Sequence, residues 1–222
     1  MAGWMDPAML AIYQEGLFMS VLCISRQFGA GGKTMGQRLA KRLGWTFVYN
    51  DVLNQVAKEA KVSLDWVEAV EKDAGDRLMR FVTSLVPSDF IERHLGDNLH
   101  DFDEKRYRQF LSVVIRRIAD HGNAVIVGRG AQFILADRPD AYKVLLVANY
   151  DDRIKFMMDN YKLSKEKAVS LVDKEVRRRN RFIESLGVDK PDDVSHYHLA
   201  LNTSLISLEK AEDLVYSLVA GS

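Results

Sequence analysis

Short apolar runs alternate with amphipathic stretches along the chain. Val21-Leu22-Cys23-Ile24, Trp45 to Tyr49, Ala124-Val125-Ile126-Val127, Lys143 to Ala148 and His198 to Asn202 are brief and bounded by turn formers, and they read as strands. Helical patterns separate them. One runs from Thr34 to Leu43 on Met35, Leu39 and Leu43 and stops at Gly44, a residue suited to a left-handed C-cap. Others run from about Asp151 to Tyr161, from Ser164 to Leu186 and from Ser207 to Val219. Strands with little polar alternation, each followed by a helix, predict an α/β fold: a five-stranded parallel sheet with helices on both faces.

Between Val52 and Gly122 no strand pattern occurs. Ser63 opens a short helix through Val70, a second runs from about Asp76 to Leu85, and a third from Asp103 to His121 carries Tyr107, Phe110, Leu111, Val114, Ile115 and Ile118 on one face. This is far too long for a plain crossover. It predicts a helical insertion over about 52–122 whose last helix returns the chain to the sheet. Arg106, Arg108, Arg116 and Arg117 fall on its solvated face.

The 222 residues suffice for one sizeable core with an inserted subdomain, placed here at 20–222. Lys+Arg and Asp+Glu are equal at 31 each, so no global field draws the protein to nucleic acid or to a membrane. Any anion site has to be built locally. A single cysteine, Cys23, sits inside a strand and allows no internal disulfide, which suits a reducing cytoplasm. Residues 1–19 carry Asp6 and Glu15 and no Lys or Arg, unlike a secretory signal, and read as an N-terminal arm or extra helix. No window has the apolar length of a membrane span.

The first strand leads into Arg26-Gln27-Phe28-Gly29-Ala30-Gly31-Gly32-Lys33-Thr34. Glycines at Gly29, Gly31 and Gly32 let the backbone turn sharply and aim successive N–H groups, Ala30 among them, into one concavity. The N-terminus of the following helix faces the same place, so phosphate is favoured. Lys33 adds a mobile cation and Thr34 a hydroxyl able to reach Mg²⁺. A tight structural turn would use glycine too. The phosphate-loop pattern is incomplete: counting back from Lys33 puts Gln27 where the first glycine belongs. Aligning Gly29-Ala30-Gly31 with a Gly-x-Gly start instead puts Gly32 in the lysine's place.

Two further segments bear on chemistry. Asn50-Asp51 ends the second strand, at the edge where open α/β sheets place ligands, so Asp51 is a helix N-cap or a substrate contact. Along 164–186, Asp173, Arg177 and Arg181 recur at intervals of four and share a face, with Arg178 and Arg179 beside them. A salt-bridged, solvated helix is one reading. The other is a closing lid over about 164–197, ending in a mobile loop from Gly187 to Ser195. Arginine clamps there would neutralise charge on a transferring phosphoryl group, where one arginine is worth on the order of 10³–10⁵ in rate. His196 and His198 alternate along the predicted fifth strand without a third ligand, and no zinc spacing or Gly-x-Ser-x-Gly elbow occurs.

Together, Ile24 to Gly32, Val125 to Gly130, the Asp173 to Arg181 run and Leu201-Asn202-Thr203-Ser204 with Ser207 and Glu209 resemble the cytidylate kinase-like family of P-loop proteins. The resemblance implies a P-loop three-layer fold with a nucleoside monophosphate-binding insertion and an arginine-bearing lid. It further implies ATP and Mg²⁺ as cofactors, with Thr34 on the metal side, Lys33, Arg177 and Arg181 in catalysis, and Arg129 on the acceptor nucleotide. The sequence departs from true cytidylate kinases at Gly130, where they carry aspartate, and at Asn202-Thr203, where they carry Asp-Thr. The expectation is phosphoryl transfer to a nucleoside monophosphate, CMP or dCMP by default. A kinase for another small metabolite and a nucleotide-sensing module are the alternatives.

Overall fold

The structure is a computed structural model that describes residues 20–49 and 104–221. Asp51, the N-terminal arm and the two predicted helices between Ser63 and Leu85 lie outside the described residues. In chain order the elements are β1 (Val21–Arg26), α1 (Gly32–Leu43), β2 (Thr46–Tyr49), α2 (Glu104–His121), β3 (Ala124–Val127), α3 (Ala131–Ile134), β4 (Ala141–Val147), α4 (Tyr150–Tyr161), α5 (Lys165–Glu184), β5 (Leu199–Asn202) and α6 (Leu208–Ala220).

Among the described residues all four strand pairings are parallel, and the five-stranded sheet has the order β2-β3-β1-β4-β5. β1 is central: Cys23 pairs with Ile126 on one side and Lys143 on the other. From β1 the chain moves to one half of the sheet, and after β3 it crosses to the other half. The crevice beyond the C-terminal end of β1 is therefore the topological switch point, where such sheets bind ligands.

Both faces of β1 are covered, so its residues need no polar alternation. Val21, Leu22, Cys23 and Ile24 are fully buried. Leu22 and Ile24 belong to a core with Met35 and Leu39 of α1, Val125 and Val127 of β3, Val144 and Leu146 of β4, and Ala211 and Val215 of α6. Alternation along the strand turns Cys23 and Ile126 to the opposite face. The apolar stripe of α2 is buried at Phe110, Leu111, Val114, Ile115 and Ile118, and α2 packs on α3 and β3. Fully burying each such side chain contributes roughly 1.5–3 kcal/mol.

The amphipathic face predicted for the last helix of the insertion thus closes one layer. One expectation needs correction. His196 and His198 do not alternate along a strand: His196 ends a 3₁₀ turn (Val194–His196), and His198 precedes β5, its Nδ1 accepting from the Lys143 amide at 3.0 Å. Between β3 and β4, where the sequence pattern assigns no element, the chain forms the four-residue helix α3.

Candidate functional site

The glycine loop lies at the switch point. Gly29 and Gly31 take φ values of 91° and 82°, in the region that only glycine occupies without strain. Gly31 caps α1, whose first turn begins at Gly32. Gly32 has no room for a side chain, since a Cβ there would stand 2.8 Å from Arg26 Cγ. Within the loop Ala30 N–H donates to the Gln27 carbonyl at 3.1 Å, and Met35 N–H to that of Gly31 at 3.0 Å. The N–H groups of Phe28, Gly29, Gly31, Gly32, Lys33 and Thr34 find no acceptor among the described residues. A run of unmatched donors at a helix N-terminus is an anion cradle.

Other elements hold the loop from three sides. Phe28 packs into an apolar cluster formed by Ile154 and Met157 of α4 and Ala168 and Val172 of α5. Gly29 lies against Arg153, so that a Cβ would meet Arg153 Cβ at 2.8 Å. Thr203 Oγ1 lies 3.3 Å from the carbonyl oxygens of both Ala30 and Val147. Ser204 Oγ accepts from Asn149 N–H at 2.8 Å, and its own N–H donates to Asn202 Oδ1 at 2.9 Å. The Asn202-Thr203-Ser204 segment thereby stitches the ends of β4 and β5 to the loop.

Lys33 is exposed, with Nζ 4.8 Å from the centre of the Tyr49 ring at the end of β2. Arg26 Cζ approaches the same ring at 5.7 Å. Burial pushes the Arg26 guanidinium below its ordinary range, and Tyr49 partly opposes that shift. The Thr34 hydroxyl makes no hydrogen bond among the described residues. No group of three or more potential His, Cys, Asp or Glu metal ligands occurs among them either. A hydroxyl at the mouth of the cradle has the donor chemistry of a Mg²⁺ ligand.

The stretch predicted as a lid, about 164–197, begins with α5, which packs against α4 as a helical hairpin. Its face divides differently from the sequence spacing. Asp173 Oδ1 accepts from the Tyr150 hydroxyl at 2.8 Å, joining the two helices and holding the phenol above its usual range. Arg177 and Arg181 are exposed, and neither side chain makes a hydrogen bond or ion pair among the described residues.

Arg179 is the arginine that turns toward the loop. Its Nη2 donates to Ser25 Oγ at 3.1 Å and to Asp192 Oδ1 at 2.6 Å. Asp192 Oδ2 accepts from Gln27 Nε2 at 3.0 Å, and Gln27 Oε1 accepts from the Ala148 amide at 3.3 Å. Behind them, Gln132 Nε2 lies 3.2 Å from Ser25 Oγ and 3.3 Å from the Tyr197 hydroxyl, which donates to the Pro191 carbonyl at 2.5 Å. Burial raises the Tyr197 phenol, against the pull of Ser25, Gln132 and the Arg179 charge. The loop predicted as mobile from Gly187 to Ser195 is thus tied to β1 through Asp192.

Arg129 has φ 54° and sits between Gly128 (89°) and Gly130 (65°), three left-handed residues in succession. Its guanidinium carbon is 5.6 Å from the centre of the Phe182 ring on α5. Arg129 therefore lies at the end of β3, beside the hairpin. Arg153 is buried, its Nε and Nη1 have no hydrogen-bond partner among the described residues, and its guanidinium carbon lies 5.4 Å from the centre of the Tyr150 ring. Spacing could have singled it out, because Arg153 falls four residues before Met157 and beside Ile154 on the buried side of α4. No local signal marks the partnership of Arg179 with Ser25, 154 positions away.

Comparison with known proteins agrees with this architecture. A structure of a protein from Eubacterium ventriosum superposes with a TM-score of 0.64 at 20% identity, covering 92% of this chain and 99% of that one, and shows the shared fold. A shikimate kinase from Acinetobacter baumannii gives a TM-score of 0.46 at 12% identity over 91% and 94% of the two chains, a likeness too slight to add to it. A cytidylate kinase of Desulfurococcus amylolyticus is 32% identical over 109 residues, 48% of this chain. The match spans 57% of that relative's length. The profile of the cytidylate kinase-like family matches residues 21–205, from the first residue of β1 to just beyond β5, and the chain belongs to that family.

Proposed function

We propose that the protein transfers a phosphoryl group from ATP to a nucleoside monophosphate, with CMP or dCMP as the first acceptors to try. The observation that carries this reading is the set of unmatched N–H groups of Phe28, Gly29, Gly31, Gly32, Lys33 and Thr34 at the switch point of the sheet; that of Ala30, expected among them, is taken by the Gln27 carbonyl. Membership of the family and the partial match to a cytidylate kinase support it. In such a reaction an acceptor phosphate oxygen attacks the γ-phosphorus, the bond to the β–γ bridging oxygen breaks, and ADP leaves. Catalysis is chiefly positioning and neutralisation of charge.

The residues divide that work. The loop N–H groups of Gly29, Gly31, Gly32, Lys33 and Thr34 hold donor phosphates, and Lys33 swings from Tyr49 to them. Thr34 supplies the hydroxyl for Mg²⁺, whose role is to offset charge on the phosphate oxygens. Arg179 neutralises charge from the lid side, with Arg177 and Arg181 reaching in on closure. Arg129 and Asp51 serve the acceptor.

The test is direct. Purified protein is incubated with Mg-ATP and a panel of nucleoside and deoxynucleoside monophosphates, and ADP is measured. Acceptor-dependent ADP that is lost in a Gly32→Ala variant supports the reading. Turnover with a non-nucleotide hydroxyl acceptor alone would move the assignment to a metabolite kinase, and absence of both turnover and ATP binding would end it.

A further inference from the structure

Gln27 stands where the common phosphate-loop pattern has its first glycine. In the fold it does something a glycine could not do. Its carboxamide bridges two elements: Oε1 takes the Ala148 N–H at the end of β4, and Nε2 donates to Asp192 in the segment after α5. The other oxygen of that carboxylate takes Arg179 Nη2, and the same nitrogen reaches Ser25 at the end of β1. The Arg179 side chain is 14% exposed and that of Asp192 33%. A negatively charged group therefore already occupies the guanidinium that reaches Ser25, at the end of the strand that runs into the glycine loop.

A carboxylate and a phosphate offer arginine the same thing, anionic oxygens at hydrogen-bonding distance. They cannot both take the same N–H group in full. We propose that Asp192, anchored by Gln27, is an internal counter-ion that holds Arg179 in waiting and is displaced from it by a phosphate oxygen of the bound nucleotide. Asp192 and Gln27 are then positioning residues that act through Arg179. Gln27 makes the exchange local to the loop, because the residue that leads into the cradle is the one that holds the carboxylate. The inference rests on the phosphate-binding reading given above.

Competition predicts the sign. Removing the carboxylate frees Arg179 and tightens anion binding, whereas a carboxylate that merely oriented Arg179 would weaken binding when removed. The probe is inorganic tripolyphosphate, titrated by calorimetry into wild type, Asp192→Asn and Asp192→Ser, with and without Arg179→Lys. Asp192→Ser is included because an asparagine carbonyl can still accept from the guanidinium, and circular dichroism melts confirm that each variant is folded.

Tripolyphosphate is expected to bind the Asp192 variants about tenfold more tightly, the scale of one charge-assisted hydrogen bond. The gain should shrink in the Arg179→Lys background, since the two residues form one unit. Gln27→Gly, which restores the common glycine, should give a smaller gain of the same sign. Equal or weaker binding by both Asp192 variants overturns the counter-ion role while leaving the cradle standing. A gain of the same size without Arg179 also overturns it, because the effect would then be general charge. Wild type that binds no tripolyphosphate removes the phosphate-binding reading itself, and this inference with it.

Discussion

Leu186 lies so close to Gly130 that a Cβ on the glycine would come within 2.4 Å of Leu186 Cδ1. Gly130 also holds φ at 65°. The residues that follow α5 are thus seated on the turn that follows β3. A side chain at this position meets both a steric and a conformational barrier. Gly130→Ala is expected to cost about 1–3 kcal/mol of stability and to loosen the contact between the hairpin and Arg129. Urea denaturation of the variant checks the first part. An unchanged midpoint would mean that Leu186 moves aside freely and that the seat is not structural.

Arg179 is the α5 arginine that reaches back to β1, with Ser25 and Asp192 as partners. If phosphoryl transfer is the reaction, Arg179→Ala should lower kcat/KM on the order of 10³-fold, in the range for one transition-state arginine. Arg177→Ala and Arg181→Ala should cost less, because both side chains are exposed in this conformation. Steady-state kinetics on the three variants decides the matter. Equal losses at all three would put the whole Asp173–Arg177–Arg181 face to work in the closed state, as the spacing predicts.

The sheet was legible because its strands are covered on both faces, so runs such as Ala124 to Val127 are apolar throughout and fully buried. The glycine loop was legible for a different reason: its conformation demands particular residues at particular steps, and these are local in sequence. Arg179 was not. Helical spacing groups Asp173 with Arg177 and Arg181, whereas the direction of Arg179 is set by Asp192, 13 positions on, and by Ser25 on another element. Nor does a four-residue helix such as α3 carry enough residues to display a period. The histidines misled because His198 fits the alternation of β5 but lies one residue before it.

A pH dependence of stability follows from the start of β4. Arg138 donates to Asp140 at 2.9 Å from Nε and 2.6 Å from Nη2, and this holds the Asp140 carboxyl below the usual carboxylate range. A carboxyl with its folded pKa depressed contributes stability above its unfolded value, near 3.9, and that contribution is lost as pH falls through the lower folded value. Asp140→Asn should therefore lower Tm at pH 7, by the equivalent of about 1 kcal/mol for a partly exposed pair. The gap between variant and wild type should close in strong acid. A gap that persists there would assign the effect to lost packing rather than to the ion pair.

Cys23 offers a reporter for the whole proposal. Burial pushes its thiol up to about 12, with Lys143 pulling it down slightly and Asp140 pushing it up. The side chain is fully buried in the central strand, paired on both sides. At neutral pH the folded protein therefore offers almost no thiolate, and iodoacetamide should reach Cys23 only when the sheet opens. Labelling followed by mass spectrometry then reads the population of the open state. A ligand that binds only the folded form slows the reaction by a factor of 1 + [L]/Kd, about 100-fold at a hundred times Kd. ATP should protect Cys23 to that extent, and Gly32→Ala should abolish the protection by placing a methyl group against Arg26. Protection by ATP that survives in Gly32→Ala would locate nucleotide binding somewhere other than the loop between β1 and α1.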